Sequence, residues 1–478
     1  MSQSDHPNAT ITEAYLRRHS RRSTVKGAVA GVGATLLGTG SVQSLAAQSA
    51  TPEASPVASP VVAESPLQTT TPSVFKTDSF EFLFLLTLGA TYERGADIGE
   101  CFATAAKVKD GDFDSWFAAW TETADRIQGI AEASDAAGHR ISAREAFLRA
   151  SNYYWAATFF SDSTSDPSQL VPTWQKHRAA WDAFVARLDV PAETIEIPYE
   201  DTTLPGYAFT VDLSGTPRPW IIMNNGSDGT MADMWSQGAA AALRRGYNVL
   251  MFDGPGQGES LYLHNLYFRH DWEAVITPVV DYLLTRPDVD PDRIALQGVS
   301  QGGYWVPRSV AFEHRIAAAI ADPGVMNVIK SWTASIPDEA IEELFSAEGE
   351  ELDAIKREFD QGVEEGKKQS VAFRFNIEFR MRPYGTTSFA ETLLMLRDYS
   401  LDGIAENITC PIVITYPEGE EFWPEQSQVL YDAIQSPKEL VLFTAAEGAD
   451  LHCEPKALGL RSQRIFDWLD ATLGVTQG

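Results

Sequence analysis

The stretch that most narrows what this chain can fold into is Gly298-Val299-Ser300-Gln301-Gly302. It follows the apolar run Arg293 to Gln297 directly and precedes a helical stretch. A serine hydroxyl attacks a carbonyl poorly unless it is exposed, positioned and deprotonated as it reacts. A tight strand-to-helix turn exposes it, and the flanking glycines let strand and helix approach closely. The backbone N–H of Gln301, at the helix start, then points toward a developing oxyanion. Ser300 is the candidate nucleophile and Gln301 the first candidate oxyanion donor.

The surrounding pattern supplies the sheet such a turn needs. Thr194 to Tyr199 and Tyr207 to Leu213 read as two short strands joined by a turn containing Leu204-Pro205-Gly206. Trp220 to Met223, Tyr247 to Phe252, Arg293 to Gln297, Ala317 to Ile320, Pro411 to Tyr416 and Glu439 to Thr444 add six more. Helices are predicted at about Asp233 to Arg245 and Asp271 to Thr285, after the Ser300 turn, and at Pro455 to Leu473. Eight strands, the later six separated by helices, imply an open and mostly parallel α/β sheet. Upstream, 76–192 reads as a helical domain. Asp112 to Ala137 and Ile141 to Phe160 show apolar residues at three- and four-residue spacing, and Gly138 is a helix stop between them. The rings of Tyr153 to Phe160 either pack helices or line a pocket. The alternation breaks again over 326–404, between the core segments 193–325 and 405–478. That acidic, helix-forming insertion would sit over the carboxyl ends of the strands as a cap; a solvated excursion is the plainer alternative.

The other reacting groups follow from position. His314 and His452 are the only histidines after Ser300. His314 is fourteen residues along the expected helix, about 20 Å away. His452 lies in the loop after the last strand and is the candidate base. His264 and His270 precede the nucleophile, where they could line the site. The acid should follow the strand Pro411 to Tyr416, and that loop holds Glu418, Glu420 and Glu421 but no aspartate. Glu420, four residues before Pro424, is the candidate, with Glu418 and Glu421 left open. A carboxylate there orients the imidazole and stabilises its charged form. The loop Asn224 to Gly229 should give the second oxyanion donor, Ser227, with Gly226 close behind. Asp253-Gly254-Pro255-Gly256-Gln257-Gly258 has the wrong glycine spacing for a dinucleotide loop and reads as a structural turn.

The first fifty residues look like an address. Ser20-Arg21-Arg22-Ser23-Thr24-Val25-Lys26 resembles a twin-arginine motif, and a small, weakly apolar stretch and Ser44-Leu45-Ala46-Ala47 follow it. Residues 1–47 are thus expected to be an export signal, to the periplasm or the exterior, rather than a basic tail. The Pro-, Ser- and Ala-rich 48–75 is expected to be a linker too polar and small-sided to bury a core. The formal net charge of −29 repels phosphate backbones and argues against nucleic-acid partners. No run of about 18 or more uninterrupted apolar residues appears, so no spanning helix is expected. Three cysteines allow one disulfide at most, and no Cys-x-x-Cys metal spacing exists.

Several of these motifs carry a resemblance. They are Ala143-Arg144-Glu145-Ala146-Phe147-Leu148-Arg149-Ala150, Asp253 to Gly258, Asp271-Trp272-Glu273, Gly302-Gly303-Tyr304 with Pro307-Arg308, and His452-Cys453. Together they resemble the α/β-hydrolase group that holds 2,6-dihydroxypseudooxynicotine hydrolase and the fermentation–respiration-switch esterases, over roughly 76–478. The resemblance implies an α/β-hydrolase fold, a Ser–acid–His triad, no cofactor, and hydrolysis of carbonyl compounds, including carbon–carbon bonds beside a ketone. The chain departs from that pattern in Glu for Asp at the acid and in its export segment. An exported aminopeptidase-like peptidase is the second reading and a non-catalytic binder on the same scaffold the third. The expected partner is a small, aromatic carbonyl substrate. The oligomeric state, monomer or homodimer, is left open.

Overall fold

The computed structural model describes residues 73–476. The expected export signal at 1–47 lies outside the described residues, as does all but the last few residues of the expected linker. The eight strands β1 (Ala192–Tyr199), β2 (Thr202–Phe209), β3 (Arg218–Asn224), β4 (Asn248–Phe252), β5 (Val289–Val299), β6 (Ala318–Asp322), β7 (Ile412–Pro417) and β8 (Lys438–Phe443) form one sheet. Its order is β1-β2-β4-β3-β5-β6-β7-β8. β1, β2 and β4 pair antiparallel, and every later pair is parallel.

The parallel strands read as continuous apolar runs because both of their faces are covered. Alternate residues divide between two cores, as period-two geometry requires. Ile222, Leu250 and Leu296 join Trp272, Trp305 and Val306 on one face. Ile221, Met223, Val249, Met251 and Ala295 join the N-terminal helices on the other. Full burial of such branched side chains contributes about 1.5–3 kcal/mol each.

The first hairpin differs from expectation. Leu204, Pro205 and Gly206 lie inside β2, and the turn falls at Glu200 and Asp201, with Glu200 left-handed at φ 46°. Pro205 is one residue outside the Gly206–Phe209 stretch that pairs with β4, where a missing N–H is tolerated. The helix expected over 233–245 is a 3-10 turn, Met231–Trp235, and a short helix, Ala239–Arg244, parted by Gly238 at φ 146°. The final helix starts at Leu458 rather than Pro455.

The segment from Asp78 to Val185 is helical. Its long helices Phe113–Ala136 and Arg140–Thr158 are parted by Gly138 at φ 77°. Tyr153, Tyr154, Phe159 and Phe160 are all buried. Phe160 packs among Phe80, Phe113 and Trp116, at 4.7–5.2 Å between ring centroids. These four rings pack helices, whereas Trp155 of the same stretch lines a cavity together with His177, Trp181 and Asp233.

Between β6 and β7 the chain is again helical, with Asp338–Ser346, Gly349–Gln369, Val371–Met381 and Phe389–Leu396 as its main elements. In Gly349–Gln369 the buried residues Ile355, Phe359 and Val363 recur every fourth position, and the acidic remainder faces outward. This segment touches both other parts of the molecule. Phe375 packs against Phe160 at 4.9 Å and Phe113 at 5.6 Å. Pro383 accepts the Phe268 N–H at 2.8 Å.

Candidate active site

Ser300 stands between the end of β5 and the helix Gly302–Val310. It adopts φ 58°, a left-handed conformation that costs a non-glycine residue energy and persists only where neighbours enforce it. Two backbone bonds do so, Ser300 N–H to Asp322 O at 2.6 Å and Gly303 N–H to Ser300 O at 2.8 Å. A side chain at Gly298 would run into the carbonyl of Gly302, so the glycine permits the close strand–helix approach.

His452 Nε2 lies 2.9 Å from Ser300 Oγ, and His452 Nδ1 lies 2.7 Å from Glu420 Oε2. The other Glu420 oxygen accepts the N–H groups of Phe422 at 2.9 Å and Trp423 at 3.1 Å, which fixes the carboxylate plane. Glu418 faces away and accepts the Ala445 N–H at 2.8 Å. Burial pushes the Glu421 carboxyl up to about 7, against the pull of the nearby His452. Of the three glutamates, Glu420 is the one in contact with the imidazole. Burial disfavours a charge on His452, but the Glu420 charge and hydrogen bond outweigh it and hold the imidazole above its ordinary value. Phe422, Trp423 and Phe82 surround the ring at 4.7, 5.7 and 6.3 Å. His452 is therefore buried and Ser300 half-buried, not set in open loops as loop position suggests.

The remaining histidines stand apart from this chain of bonds. His314 lies beyond the Ser300 helix, which ends at Val310, with its Nδ1 at 3.3 Å from Thr409 Oγ1. His264 is exposed beside Glu259 at 3.7 Å, and His270 packs on Tyr399.

The expected oxyanion loop lies against the nucleophile. A Cβ at Gly226 would sit 2.7 Å from Ser300 Cβ and 2.8 Å from Val299 O, so only glycine allows this approach. The Gly226 N–H donates to Asn225 Oδ1 at 2.7 Å. The backbone N–H groups of Ser227 and Gln301 have no acceptor among the described residues. Both are thus available to a ligand oxygen.

Three supports carry too little local signal for sequence reasoning to find. Gln257, in the turn after β4, donates to the carbonyls of Asn225 and Gly226 at 2.8 Å each. That turn is itself fixed by buried Asp253, which accepts from Met231 and Glu259 N–H groups at 2.8 Å. Tyr384 of the 330–396 helical segment donates to Gln301 Oε1 at 3.2 Å. Behind the nucleophile, Arg461 of the final helix pairs with Asp322 at the end of β6 and, at 3.4 Å, with Glu454. All three are fully buried, and burial pushes Glu454 well above the usual carboxylate range. The three cysteines are free and buried. Among the described residues no group of three or more His, Cys, Asp or Glu is arranged to hold a metal, and no helix is long and apolar enough to cross a membrane.

Chemically, the arrangement presents a hydroxyl hydrogen-bonded to an imidazole, the imidazole to a carboxylate, and two free N–H groups beside the hydroxyl. Known proteins similar to this chain include several hydrolases. Residues 235–357 match the model of the prolyl oligopeptidase family. Hydrolase LUC6 of Fusarium sp is 33% identical over 84% of this chain and 98% of its own length. The alpha/beta hydrolase psoB of Aspergillus fumigatus is 31% identical over 85% of this chain and 96% of its own. Among solved structures, that of 2,6-dihydroxy-pseudo-oxynicotine hydrolase superposes with a TM-score of 0.60 at 21% identity, covering 81% of this chain and 95% of the other. With that sheet order, and with about a third of its residues shared along nearly the whole length of such relatives, the chain is a hydrolase and belongs to the α/β-hydrolase family.

Proposed function

We propose that the chain is an exported, cofactor-free serine hydrolase that cleaves an ester, or a carbon–carbon bond beside a ketone, in a small aromatic carbonyl compound. The observation that carries this reading is the continuous hydrogen-bond chain from Ser300 through His452 to Glu420. In the reaction, Ser300 Oγ attacks the substrate carbonyl carbon while its proton passes to His452 Nε2. The electron pair moves onto the carbonyl oxygen, which the N–H groups of Gln301 and Ser227 receive. His452 then gives the proton to the leaving group as the scissile bond breaks, and water repeats the sequence on the acyl-enzyme. Glu420 stabilises the imidazolium throughout.

A small aromatic substrate is supported by the roof over the site. Phe82, Phe422 and Trp423 surround His452, and Tyr384 reaches down to Gln301. Such an enclosure removes most of a small ligand's surface from water. Short aryl esters, aryl β-diketones and peptide amides assayed side by side test the reading, with Ser300 labelled by a fluorophosphonate probe. Unlabelled enzyme is expected to turn over ester or diketone, and enzyme whose Ser300 has reacted with the probe to lose that turnover. The match of residues 235–357 to the prolyl oligopeptidase family favours a peptidase as the second reading, and faster cleavage of amides than of both other classes would establish it.

Export is supported by Arg21 and Arg22 together with the weakly apolar stretch and the Ser44-Leu45-Ala46-Ala47 region that follow them. Replacing both arginines by lysine is expected to leave full-length precursor in the cytoplasm; normal processing of that variant would remove the twin-arginine route.

A further inference from the structure

The two residues after His452 adopt a backbone that side chains rarely allow, Cys453 at φ 58° and Glu454 at φ 47°. Such a conformation persists only where its surroundings enforce it. Asp322, at the end of β6, supplies part of the enforcement. Its carbonyl oxygen accepts the Ser300 N–H at 2.6 Å and the Cys453 thiol at 3.6 Å, so one atom touches both the nucleophile turn and the base loop. Its carboxylate accepts the Thr415 hydroxyl at 2.6 Å and pairs with Arg461. Arg461 Nε also stands 3.4 Å from Glu454.

Two carboxyl groups and one guanidinium are thus closed off from water together, Asp322 and Glu454 being 0% exposed and Arg461 1%. With both carboxyls charged, the cluster would bury a net negative charge, and a group in that position takes up a proton instead. Among the described residues neither Glu454 oxygen accepts an N–H or O–H. A protonated carboxyl needs no such donor, and its own O–H has the Asp322 carboxylate to bond. Burial and the Asp322 charge push Glu454 in that direction, against the pull of Arg461. We propose that Glu454 is a positioning residue for the reaction: bonded to Asp322 and Arg461, it holds the His452 loop against the Ser300 turn and so presets the bond between His452 Nε2 and Ser300 Oγ. It touches no substrate, and it acts while neutral. This rests on the hydrolase reading and adds to it a residue that sets kcat. A misplacement of about 1 Å between reacting groups can cost about 10²-fold in rate, while substrate binding is left alone.

The experiment uses the full chain, para-nitrophenyl butyrate as substrate and a fluorophosphonate probe for Ser300, with thermal unfolding to count folded protein. Glu454→Ala leaves Asp322 and Arg461 as a balanced pair, so it should fold. Its kcat per folded molecule should drop by about 10²-fold with KM within about threefold of wild type. The rate of Ser300 labelling should drop with it, since attack on the probe needs the same base. Glu454→Gln, a neutral isostere that still donates to Asp322, should restore kcat to at least about a third of the wild-type value. The carboxyl groups that act on His452 include Glu420, Asp322, Glu421 and Asp228. A neutral Glu454 adds no charge to them, so the acid limb of kcat/KM should stay in place in Glu454→Gln. A folded Ala variant with kcat and labelling rate within about threefold of wild type overturns the positioning role. If Ala does not fold, Glu454→Asp, one methylene too short to reach both partners, carries the test with an expected loss of about tenfold, and wild-type kcat there overturns it equally. A Gln variant as slow as Ala, or one whose limb moves to lower pH, overturns the neutral carboxyl. Wild type that labels while the variants stay fast removes only Glu454, whereas wild type that neither labels nor turns over ester removes the hydrolase reading and this inference with it.

Discussion

At the scale of single residues the site is a unit, and its variants should behave as one. Ser300→Ala and His452→Ala should each abolish turnover, and the double variant should be barely slower than either alone, because neither group acts without the other. Additive losses in steady-state kinetics would show that His452 is not the base for Ser300. Glu420→Gln should lower kcat by about 10³–10⁴-fold, since an amide cannot stabilise the imidazolium. Glu418→Gln and Glu421→Gln should each cost less than about tenfold, since neither bonds the imidazole. His452 must be neutral to accept the Ser300 proton, and Glu420 holds it above its ordinary value. The acid limb of kcat/KM should therefore lie above the ordinary histidine value of about 6.5, with activity falling as pH drops through it. The residual activity of Glu420→Gln should show that limb moved to lower pH; a pH–rate profile with an unmoved limb would assign it to another group.

At the scale of elements, the turn that carries Ser300 is held from behind by three others. Asp322 ends β6, Glu454 follows His452 in its loop, and Arg461 comes from the helix Leu458–Leu473. Arg461→Met would leave the Asp322 carboxylate buried without its cation. That should cost about 3–5 kcal/mol, the usual penalty for removing one partner of a buried pair. Arg464, on the same helix, pairs with Glu447 where both are about one-third exposed. Arg464→Met should cost at most about 1 kcal/mol. Urea unfolding of the two variants checks the contrast, and equal losses would mean that the buried network does not hold these elements together.

At the scale of the whole molecule, the N-terminal helices are tied into the catalytic layer. Their apolar residues form one continuous core with the second face of the sheet. His177, on the helix Leu170–Val185, bonds Thr230 Oγ1 at 3.0 Å beyond the oxyanion loop and has Ser151 Oγ at 3.0 Å on its other nitrogen. Burial lowers this histidine to about 4. The folded protein thus refuses a proton that the unfolded chain accepts below about 6.5. Its contribution is complete above that pH and is lost as pH falls from 6.5 toward 4. Between pH 7 and 5 this amounts to about 2 kcal/mol. In His177→Gln, which does not titrate, the loss of stability over that interval should be smaller by this amount in denaturant titrations. An unchanged slope would place the acid sensitivity elsewhere.

What the sequence determined by itself is whatever repeats or sits locally. Apolar runs such as Trp220 to Met223 and Pro411 to Tyr416 specify parallel strands because both of their faces are buried, and the Gly298 to Gly302 turn needs only its own glycines and the strand before it. Chain order was enough to single out His452, but the loop after β7 offered three glutamates at nearly equal spacing. The place four residues before Pro424 favoured Glu420 without excluding the other two; the fold separates them, by turning Glu420 toward His452 and pinning it with the N–H groups of Phe422 and Trp423. The hairpin misled for a similar reason: Leu204-Pro205-Gly206 has turn chemistry, yet pairing with β1 holds it extended. Gln257, Tyr384 and Arg461 were not legible as supports of the site, since each acts on residues far away along the chain. Their partners are chosen when strands, helices and the roof pack, and burial then makes an unpaired polar group expensive and a paired one decisive.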